Sequence, residues 1–394
     1  MNNLESIERE LNPFPIYQKM RQEQPVYYNP RRGSWSVFGF DDVQRVLSDY
    51  ETFSSQFAGG GQDGGSPFAA SMISSDPPRH RQLRTLVTQA FTPRAVDALA
   101  PRIRSIVTGL LDKVSAAGGT AGQMDVISDL GTPLPVTVIA ELLGIPVADR
   151  EKFKSWSDLV VSMANFGDEV DYAKFQSDAV MEMSAYFFNM IQQRQAEPGE
   201  DLISGLLAAE IEGQRLETIE LLGFCVLLLV AGNETTTNLI GNAMLAFAEH
   251  PEAWERLRAE PGLLPGAIEE VLRYRSPVQS MFRVTKKEAR LGDKTIPAGT
   301  SLLAWIGSAN HDEAQFPDAE RFDIERTPNR HLAFGQGIHY CLGAPLARLE
   351  GRIALGAMLE RFRCFDLAPG AKLERVPSLI VYGVKQLPIH YQST

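Results

Sequence analysis

The stretch Phe334-Gly335-Gln336-Gly337-Ile338-His339-Tyr340-Cys341-Leu342-Gly343 decides how the chain is interpreted. Its three glycines allow backbone conformations that a Cβ atom would forbid, and residues 344–350 directly after it have the composition of a helix. Cys341 therefore lies at a predicted helix start. There the unpaired amides and the positive end of the helix dipole favour a thiolate, the form of cysteine that binds metal.

One thiolate cannot build a zinc site, and no second cysteine lies near Cys341 in the sequence. A preformed cofactor that needs a single protein ligand is the simplest interpretation. Haem is such a cofactor, and an axial cysteinate favours cleavage of the O–O bond. The glycines would let a flat macrocycle lie against the backbone, and His339 can reach a propionate. The alternative is a buried structural cysteine in a glycine-rich turn.

The stretch resembles the haem-binding signature of the cytochrome P450 family, and every fixed position of that signature is present: Phe, Gly, any, Gly, any, His, any, Cys, any, Gly. The resemblance implies haem b as the cofactor and Cys341 as the ligand of its iron. It also implies a mainly α fold with small β-sheets (the α+β class), in which one large domain spans residues 1–394 and a long central helix lies over the haem. The loop residues that it assigns to the cofactor are Phe334, Gly335, His339, Cys341 and Gly343.

Composition sets the class of protein. The chain has 394 residues, of which 44% are hydrophobic and 22% charged, and we find neither an interdomain linker nor an internal repeat. A net charge of −11 argues against nucleic acid as a partner. No run reaches the roughly 20 apolar residues of a membrane span, and the N-terminus lacks a basic and apolar leader. Three cysteines suit a reducing compartment, so we expect a cytoplasmic protein without a membrane anchor.

A second motif lies near residue 80. Residues 76–78, Asp-Pro-Pro, predict a helix start through a cap and prolines, and His80 and Arg84 then lie one turn apart on one helix face. A solvated face is the alternative, because exposed arginines are common. The resemblance implies that both side chains reach haem propionates. Arg283, in a predicted extended stretch, resembles a further propionate ligand of the family.

A long apolar helix is predicted from about residue 216 to 250, with a length on the order of 50 Å. Residues 231–237 interrupt its apolar pattern with a carboxylate and three β-branched hydroxyl residues, which helices do not favour. Such a local exception suggests a functional site. We expect Thr235 to donate a hydrogen bond to the carbonyl of Ala231, which with Gly232 would open the helix to water.

This interruption resembles the acid–alcohol pair of the family, with Glu234 as the acid and Thr235 as the alcohol. The two would be the catalytic residues, because cleavage of dioxygen needs two protons in a pocket that is otherwise dry. A buried glutamate paired with an arginine is the alternative. The pair favours an oxygen-dependent monooxygenase, since branches that reduce nitric oxide or use peroxide directly commonly lack it.

Glu270 and Arg273 are neighbours on one predicted helix face, and such pairs decorate many surface helices. Their position matches the glutamate–arginine pair of the family, with Arg321 as its third member. We interpret the three as a structural ion network that supports the haem-side core. His311 is expected to be a polar surface residue, and His331 a structural one.

Other predicted elements are helices near residues 16–22, 43–47 and 136–143 and a strand at 34–38, with β-structure at 285–296 and 301–306. Residues 53–74 form a long glycine-rich segment that would cover the substrate pocket. A hairpin at 378–384 would touch the substrate with its tip. The residues that we assign to an apolar substrate pocket are Phe68, Leu227, Val230, Ala231, Val278, Gln279, Met281 and Val381.

Together the motifs predict a haem-thiolate monooxygenase that activates dioxygen with electrons from a separate ferredoxin or flavodoxin-type donor. It would hydroxylate or epoxidise an apolar small molecule of the fatty acid, terpenoid or steroid, or polyketide or macrolide type. The alternatives are a peroxide-driven haem-thiolate enzyme and a non-catalytic haem-binding sensor or carrier. The donor is expected to dock near Cys341, on a basic face that includes Arg79, Arg81, Arg330 and Arg348.

Overall fold

The structure is a computed structural model that describes Ile7 and residues 10–56, 70–118, 121–153, 155–156, 171–210 and 213–394. Helices dominate the described chain, as predicted for the fold class. They are α1 (Phe14–Glu23), α2 (Phe40–Ser48), α3 (Arg79–Ala90), α4 (Pro93–Asp97), α5 (Ala100–Gly118), α6 (Pro133–Leu142), α7 (Asp171–Ala196), α8 (Leu202–Ala208), α9 (Thr218–Glu249), α10 (Pro251–Ala259), α11 (Leu264–Tyr274), α12 (Ile306–Ala309) and α13 (Ala344–Arg361).

The described strands form three small sheets. A five-stranded sheet has the order β1-β2-β8-β5-β3, a three-stranded sheet the order β4-β10-β9, and β6 pairs with β7. Strands β2 and β8 are parallel, while β5 and β8 are antiparallel with Arg283 opposite Leu302. The strands are β1 (Val26–Asn29), β2 (Ser34–Val37), β3 (Phe53–Ser54), β4 (Ala121–Asp125), β5 (Met281–Thr285), β6 (Ala289–Leu291), β7 (Lys294–Ile296), β8 (Ser301–Ala304), β9 (Phe362–Leu367) and β10 (Pro388–Ser393).

The cap predicted for α3 differs from the observed one. Helix α2 begins after Gly39, with two aspartates in its first turn, and α3 begins after Pro78. Asp76 does not cap α3 with its side chain. Its carboxylate instead accepts hydrogen bonds from Ser54 Oγ at 2.6 Å and Ser55 N at 3.1 Å, which ties the end of β3 to the start of α3.

Helix α9 is the long helix that the sequence predicts, and it continues through residues 231–237 without a break. A capping box fixes its start, in which Glu217 accepts from the backbone of Glu220 and the Glu220 side chain accepts from the backbone of Glu217. Helices α6, α7, α11 and α13 pack around it. Among the described helices, α9 alone is long and apolar enough to cross a membrane, and 59% of its most apolar stretch is buried inside the fold.

Candidate active site

The loop before α13 has the tight backbone that its glycines predict. The amide of Cys341 donates to the carbonyl of Phe334 at 2.9 Å. Gly335 and Gly337 have φ angles of +73° and +71°, which side chains rarely tolerate. A Cβ on Gly337 would also lie 2.8 Å from Ser48 Cα. Gly343, in contrast, has an ordinary φ of −81°, so two of the three predicted glycines are required by the fold of the chain.

Cys341 lies in the loop just before α13, separated from Ala344 by Leu342 and Gly343, and its side chain is exposed to an internal cavity while protein surrounds it elsewhere. Burial raises the pKa of its thiol, although the backbone amides of Gly343 and Ala344 and the guanidinium of Arg84 lower it. The effects expected at a helix start are therefore present, but burial outweighs them in the free protein.

The cavity lies between two walls, the Cys341 loop with α13 on one side and α9 on the other. Further lining residues come from α2, α3, α6, α11, α12, β5 and the turn at Met72–Ser74, and the lining is mainly apolar. Apolar side chains that line it are Leu47, Met72, Ile73, Phe91, Ile139, Phe224, Leu227, Leu228, Leu239, Leu272, Val278, Met281, Ile306 and Leu346.

Two arginines meet at the loop end of the cavity. Arg84 Nη1 donates to the carbonyl of Ile338 at 3.0 Å, and Arg283 Nη1 donates to the carbonyl of Phe282 at 2.7 Å. Arg283 is 5% exposed, and burial lowers its pKa to about 10. Among the described residues neither guanidinium forms an ion pair. Two cations facing one cavity without carboxylate partners are suited to a ligand that carries carboxylates.

The two predicted histidines lie beside these arginines. His339 lines the cavity, and its Nε2 lies 2.9 Å from Ser55 Oγ. His80 lies behind it with ring centroids 4.2 Å apart, and it does not line the cavity itself. His80 is 1% exposed, and its Nε2 has no partner within the described chain. Burial lowers the pKa of His80 to about 4 and that of His339 to about 3, so both rings are neutral near pH 7.

These residues meet the chemical requirements of haem b. The cofactor needs one thiolate for its iron and polar groups for its two propionates. Cys341 supplies the thiol, and Arg84 and Arg283 are cations without carboxylate partners in the described chain. The orphaned Nε2 of buried His80 is a further polar group that a propionate would satisfy.

The α9 wall contains the predicted polar interruption. Thr235 lines the cavity, and its hydroxyl donates to the carbonyl of Ala231 at 2.6 Å, as predicted. Glu234 does not line the cavity. Its Oε1 accepts from Asn238 Nδ2 at 3.1 Å, one helical turn further along. The alcohol therefore faces the cavity, and the acid points away from it.

The predicted substrate residues divide into two groups. Leu227 and Ala231 on α9, with Val278 and Met281 near β5, line the cavity. Gln279 does not line it. Its Oε1 accepts from the Tyr17 hydroxyl at 2.6 Å, and its Nε2 donates to the carbonyl of Ser276 at 2.7 Å.

Val381 does not line the cavity either. It is buried and forms an antiparallel β-bridge with Val278, and Val278 is the member of this bridge that lines the cavity. Phe68 lies outside the residues that the structure describes, and so does the side chain of Val230.

The ion network forms with one different member. Arg273 and Glu270 are both fully buried and make two hydrogen bonds of 2.8 Å. Arg321 was the predicted third member, but it contributes only its backbone carbonyl, which Arg273 Nη2 contacts at 3.1 Å. Arg326 supplies the third side chain, 3.3 Å from the Glu270 carboxylate. The prediction chose the wrong arginine because both lie in the same short segment after β8.

His311 and His331, the two other histidines considered from the sequence, are structural. The prediction of a surface position for His311 was wrong, since it is 0% exposed, stacks on Phe14, and contacts the Tyr274 carbonyl at 2.8 Å. His331 Nε2 lies 3.1 Å from Glu269.

Several cavity residues were not predicted from the sequence, and two groups of them carry a recognisable sequence signal. Phe224 and Leu228 lie on the same face of α9 as Thr235, so helical spacing backward from Thr235 would have identified them. Glu350 on α13 lines the cavity and is 1% exposed. Its sequence signal is an acid flanked by Leu349 and Gly351 in a helix that packs into the core.

Comparison with known proteins agrees with this geometry. A family model described as Cytochrome P450 matches residues 3–389. Cytochrome P450 109 of Bacillus spizizenii is 44% identical over 393 residues, covering 99% of this chain and 94% of the relative. Cytochrome P450 monooxygenase PikC of Streptomyces venezuelae is 44% identical, covering 97% of this chain and 91% of the relative. The crystal structure of CYP109E1 from Bacillus megaterium in complex with testosterone has a TM-score of 0.86 and 43% identity, covering 96% of this chain and 99% of that one.

Proposed function

The chain belongs to the cytochrome P450 family, and from this premise we propose that Cys341 binds the iron of its haem and that its substrate is an uncharged apolar molecule of the steroid or macrolide type. As a member of the family it is a haem-thiolate monooxygenase that uses haem b, dioxygen and electrons from a redox partner protein to act on a small molecule. The observation that carries the proposal is the cavity in which the Cys341 thiol faces an apolar space between the loop and α9.

The cofactor would be held at three points. Cys341 would bind the iron, Arg84 and Arg283 would bind the propionates, and the Nε2 of His80 would be a further donor to one of them. His339 lines the cavity, and its ring contacts the ring of His80. Phe334, Gly335 and Gly343 form the loop surface that faces the macrocycle. Haem, when bound, supplies the activation of dioxygen and the transfer of one oxygen atom to the substrate.

Glu234 and Thr235 would handle protons at the α9 wall. The Thr235 hydroxyl is in the cavity and can offer its proton there after leaving the Ala231 carbonyl. Glu234 is the preceding residue of the same turn and does not line the cavity, and it would return a proton to Thr235 through water. The cavity-facing alcohol and the adjacent acid beside it support this division of roles.

The lining supports an uncharged substrate. Arg84 and Arg283 would be neutralised by the propionates, and no other arginine or lysine of the described chain lines the cavity. A free carboxylate would therefore be desolvated without a partner, which disfavours free fatty acids. The testosterone bound to CYP109E1 and the 41% identity to the erythromycin C-12 hydroxylase of Saccharopolyspora erythraea support a steroid or macrolide type.

The test is an optical titration of the ferric haem-loaded protein with testosterone, a macrolactone and palmitate. We expect the first or the second to shift the iron toward high spin, because an apolar ligand displaces water above the iron, and palmitate to give the smallest shift. A shift with palmitate alone would overturn the substrate class. Absence of a thiolate-haem spectrum after haem supply would overturn the proposal as a whole.

The redox partner is proposed to be a small acidic ferredoxin or flavodoxin that docks near Cys341. Two arginines of the predicted basic face already have partners within the chain. Arg348 donates two hydrogen bonds of 2.7 Å to Glu269. Arg79 donates to Gln82 at 3.0 Å and forms an ion pair with Glu220. Arg81 and Arg330 are therefore the better candidates for intermolecular contacts. Charge reversal at these two should slow reduction in a salt-dependent way.

The proposal includes a cytoplasmic location and a single domain over residues 1–394. All three cysteines are unpaired, which suits a reducing compartment. The unbroken family match over residues 3–389 supports one domain.

A further inference from the structure

Asp76 is a buried acid whose charge the roles described above do not use. It is 6% exposed. Its carboxylate accepts from Ser54 Oγ at 2.6 Å and from Ser55 N at 3.1 Å, and Lys286 Nζ forms an ion pair with it at 2.9 Å. The same Nζ donates to the carbonyl of Tyr50 at 3.0 Å. Burial alone would raise the pKa of Asp76, but these hydrogen bonds outweigh it and lower the pKa, so the carboxylate is ionised near pH 7.

Two short routes connect Asp76 to the residues that would hold the propionates. Ser55, whose amide donates to Asp76, places its hydroxyl 2.9 Å from the Nε2 of His339, which lines the cavity. Ser54, whose hydroxyl donates to Asp76, lies opposite the residue that follows Arg283 in the sheet. Asp76 itself does not line the cavity, so it is separated from the cavity by residues that it contacts.

The charge of Asp76 acts on these residues. Burial lowers the pKa of Arg283, and the carboxylate of Asp76 counteracts this effect. Burial and neighbouring basic groups lower the pKa values of His80 and His339, and Asp76 again acts in the opposite direction. Coulomb interactions are strong in a low-dielectric interior, so an acid need not touch a ligand to change the ligand's energy.

The charges at this end of the cavity balance only when Asp76 is counted. Arg84, Arg283 and Lys286 are cations, and among the described residues Asp76 is the one acid that forms an ion pair with any of them. The two propionates of haem b would supply two negative charges. The carboxylate of Asp76 supplies the third, so that three cations face three anions.

We propose that Asp76 is the counter-anion of the propionate site and that its charge, set against that of Lys286, adjusts the reduction potential of the bound haem. This inference rests on the proposed binding of haem at Cys341. Uptake of one electron by ferric haem adds a negative charge, which a nearby anion disfavours and a nearby cation favours. Asp76 therefore lowers the potential, and Lys286 raises it.

The test is a spectroelectrochemical titration of the substrate-free, haem-loaded protein, in which an electrode supplies the electron and haem absorption reports the ferric-to-ferrous midpoint potential. Asp76→Asn should raise the midpoint potential, because the amide has nearly the same shape but no charge. Lys286→Gln should lower it. Loss of a merely structural contact would move both variants in the same direction or leave both unchanged, and either result would overturn the proposal.

Lys294→Gln is the matched control for Lys286→Gln. It is the same substitution at a lysine of similar exposure, 46% against 40%, which pairs with Asp293 instead of Asp76. The control should keep the wild-type midpoint potential. A decrease equal to that of Lys286→Gln would mean that the net charge of the protein sets the potential, and the role of the pair would be overturned.

The rate of haem loss to an excess of a haem-free acceptor protein separates this role from a structural one. Faster haem loss from Asp76→Asn at an unchanged midpoint potential would show that Asp76 only holds the site together, which overturns the proposal. Lys286→Gln changes a half-exposed side chain and decides the matter if Asp76→Asn does not fold: a decrease in potential supports the proposal, and no change overturns it.

The same samples distinguish this inference from the proposed function. A wild-type protein without a thiolate-haem spectrum after haem supply would overturn the proposed function. A normal spectrum with equal midpoint potentials in all variants would overturn the role of Asp76 alone.

Discussion

The two walls of the cavity are built by different means. The Cys341 loop is determined by its backbone. Two glycines have positive φ, Ser48 occupies the space that a Cβ on Gly337 would need, and a buried ion network lies on neighbouring segments. The α9 wall is a continuous helix with regular backbone, so its chemistry depends on the identity and orientation of its side chains. The loop therefore depends on glycines whose backbone conformation other residues rarely adopt. The function of the α9 wall depends instead on the direction of a few polar side chains.

This difference predicts how each wall responds to mutation. A change in the loop should alter folding or cofactor retention as well as chemistry. A change on α9 should leave the fold nearly intact and alter proton handling. The following predictions test that distinction, from the largest effect to the smallest.

Cys341→Ala should remove the iron ligand, and with it the absorption that marks a thiolate-bound haem in the reduced carbon monoxide complex. The expected loss is complete, because no other cysteine lines the cavity among the described residues. Cys364→Ala is the control and should keep the spectrum, since Cys364 lies on β9. A thiolate spectrum in Cys341→Ala would contradict the assignment of the ligand.

Gly337→Ala should lower the free energy of unfolding by about 3 kcal/mol, because the alanine would have to adopt a left-handed backbone conformation and its Cβ would overlap with Ser48 Cα. Gly343→Ala is the matched variant. Its φ is −81° and its added Cβ would meet only Cys341 Sγ at 3.9 Å, so the change in the cofactor-free protein should stay below about 1 kcal/mol. Chemical denaturation of both variants measures the difference. Equal effects would show that backbone strain does not define this wall.

The sequence predicted the structure correctly where backbone conformation or helical spacing determines which residue type a position needs. The loop glycines, the long helix and the Thr235 to Ala231 hydrogen bond were all predicted from spacing and local chemistry. In these cases the interacting groups are at most a few residues apart, so tertiary packing has little freedom to rearrange them.

Predictions failed where long-range packing decides which way a side chain points. Gln279 is next to a cavity residue in sequence, but it turns to Tyr17, which lies 262 positions earlier. His311 was predicted to be a surface residue, but it is buried because Phe14 of α1 stacks on its ring. Arg321 and Arg326 have equivalent sequence surroundings, and only the fold of their segment decides which one reaches Glu270.

Arg326→Ala should lower the free energy of unfolding by about 2 kcal/mol, because it removes a charged partner from fully buried Glu270. Arg321→Ala keeps the backbone carbonyl that Arg273 and Arg326 contact, so it should change stability by less than about 0.5 kcal/mol. Thermal unfolding of the two variants distinguishes them. A larger loss in Arg321→Ala would restore Arg321 as the third member of the network.

The smallest effect concerns the α9 wall, where Asn238 Nδ2 donates to Glu234 Oε1 at 3.1 Å. A double-mutant cycle of Asn238→Ala and Glu234→Gln should give a coupling energy of about 1 kcal/mol in unfolding, the usual contribution of one such hydrogen bond. Asn238 is 1% exposed and its Oδ1 occupies the space that a Cβ on Gly383 would need. The amide is therefore held by packing, and it fixes the direction of the acid. A coupling energy of zero would show that the two side chains contribute independently, and the direction of Glu234 would then have to be set by another contact.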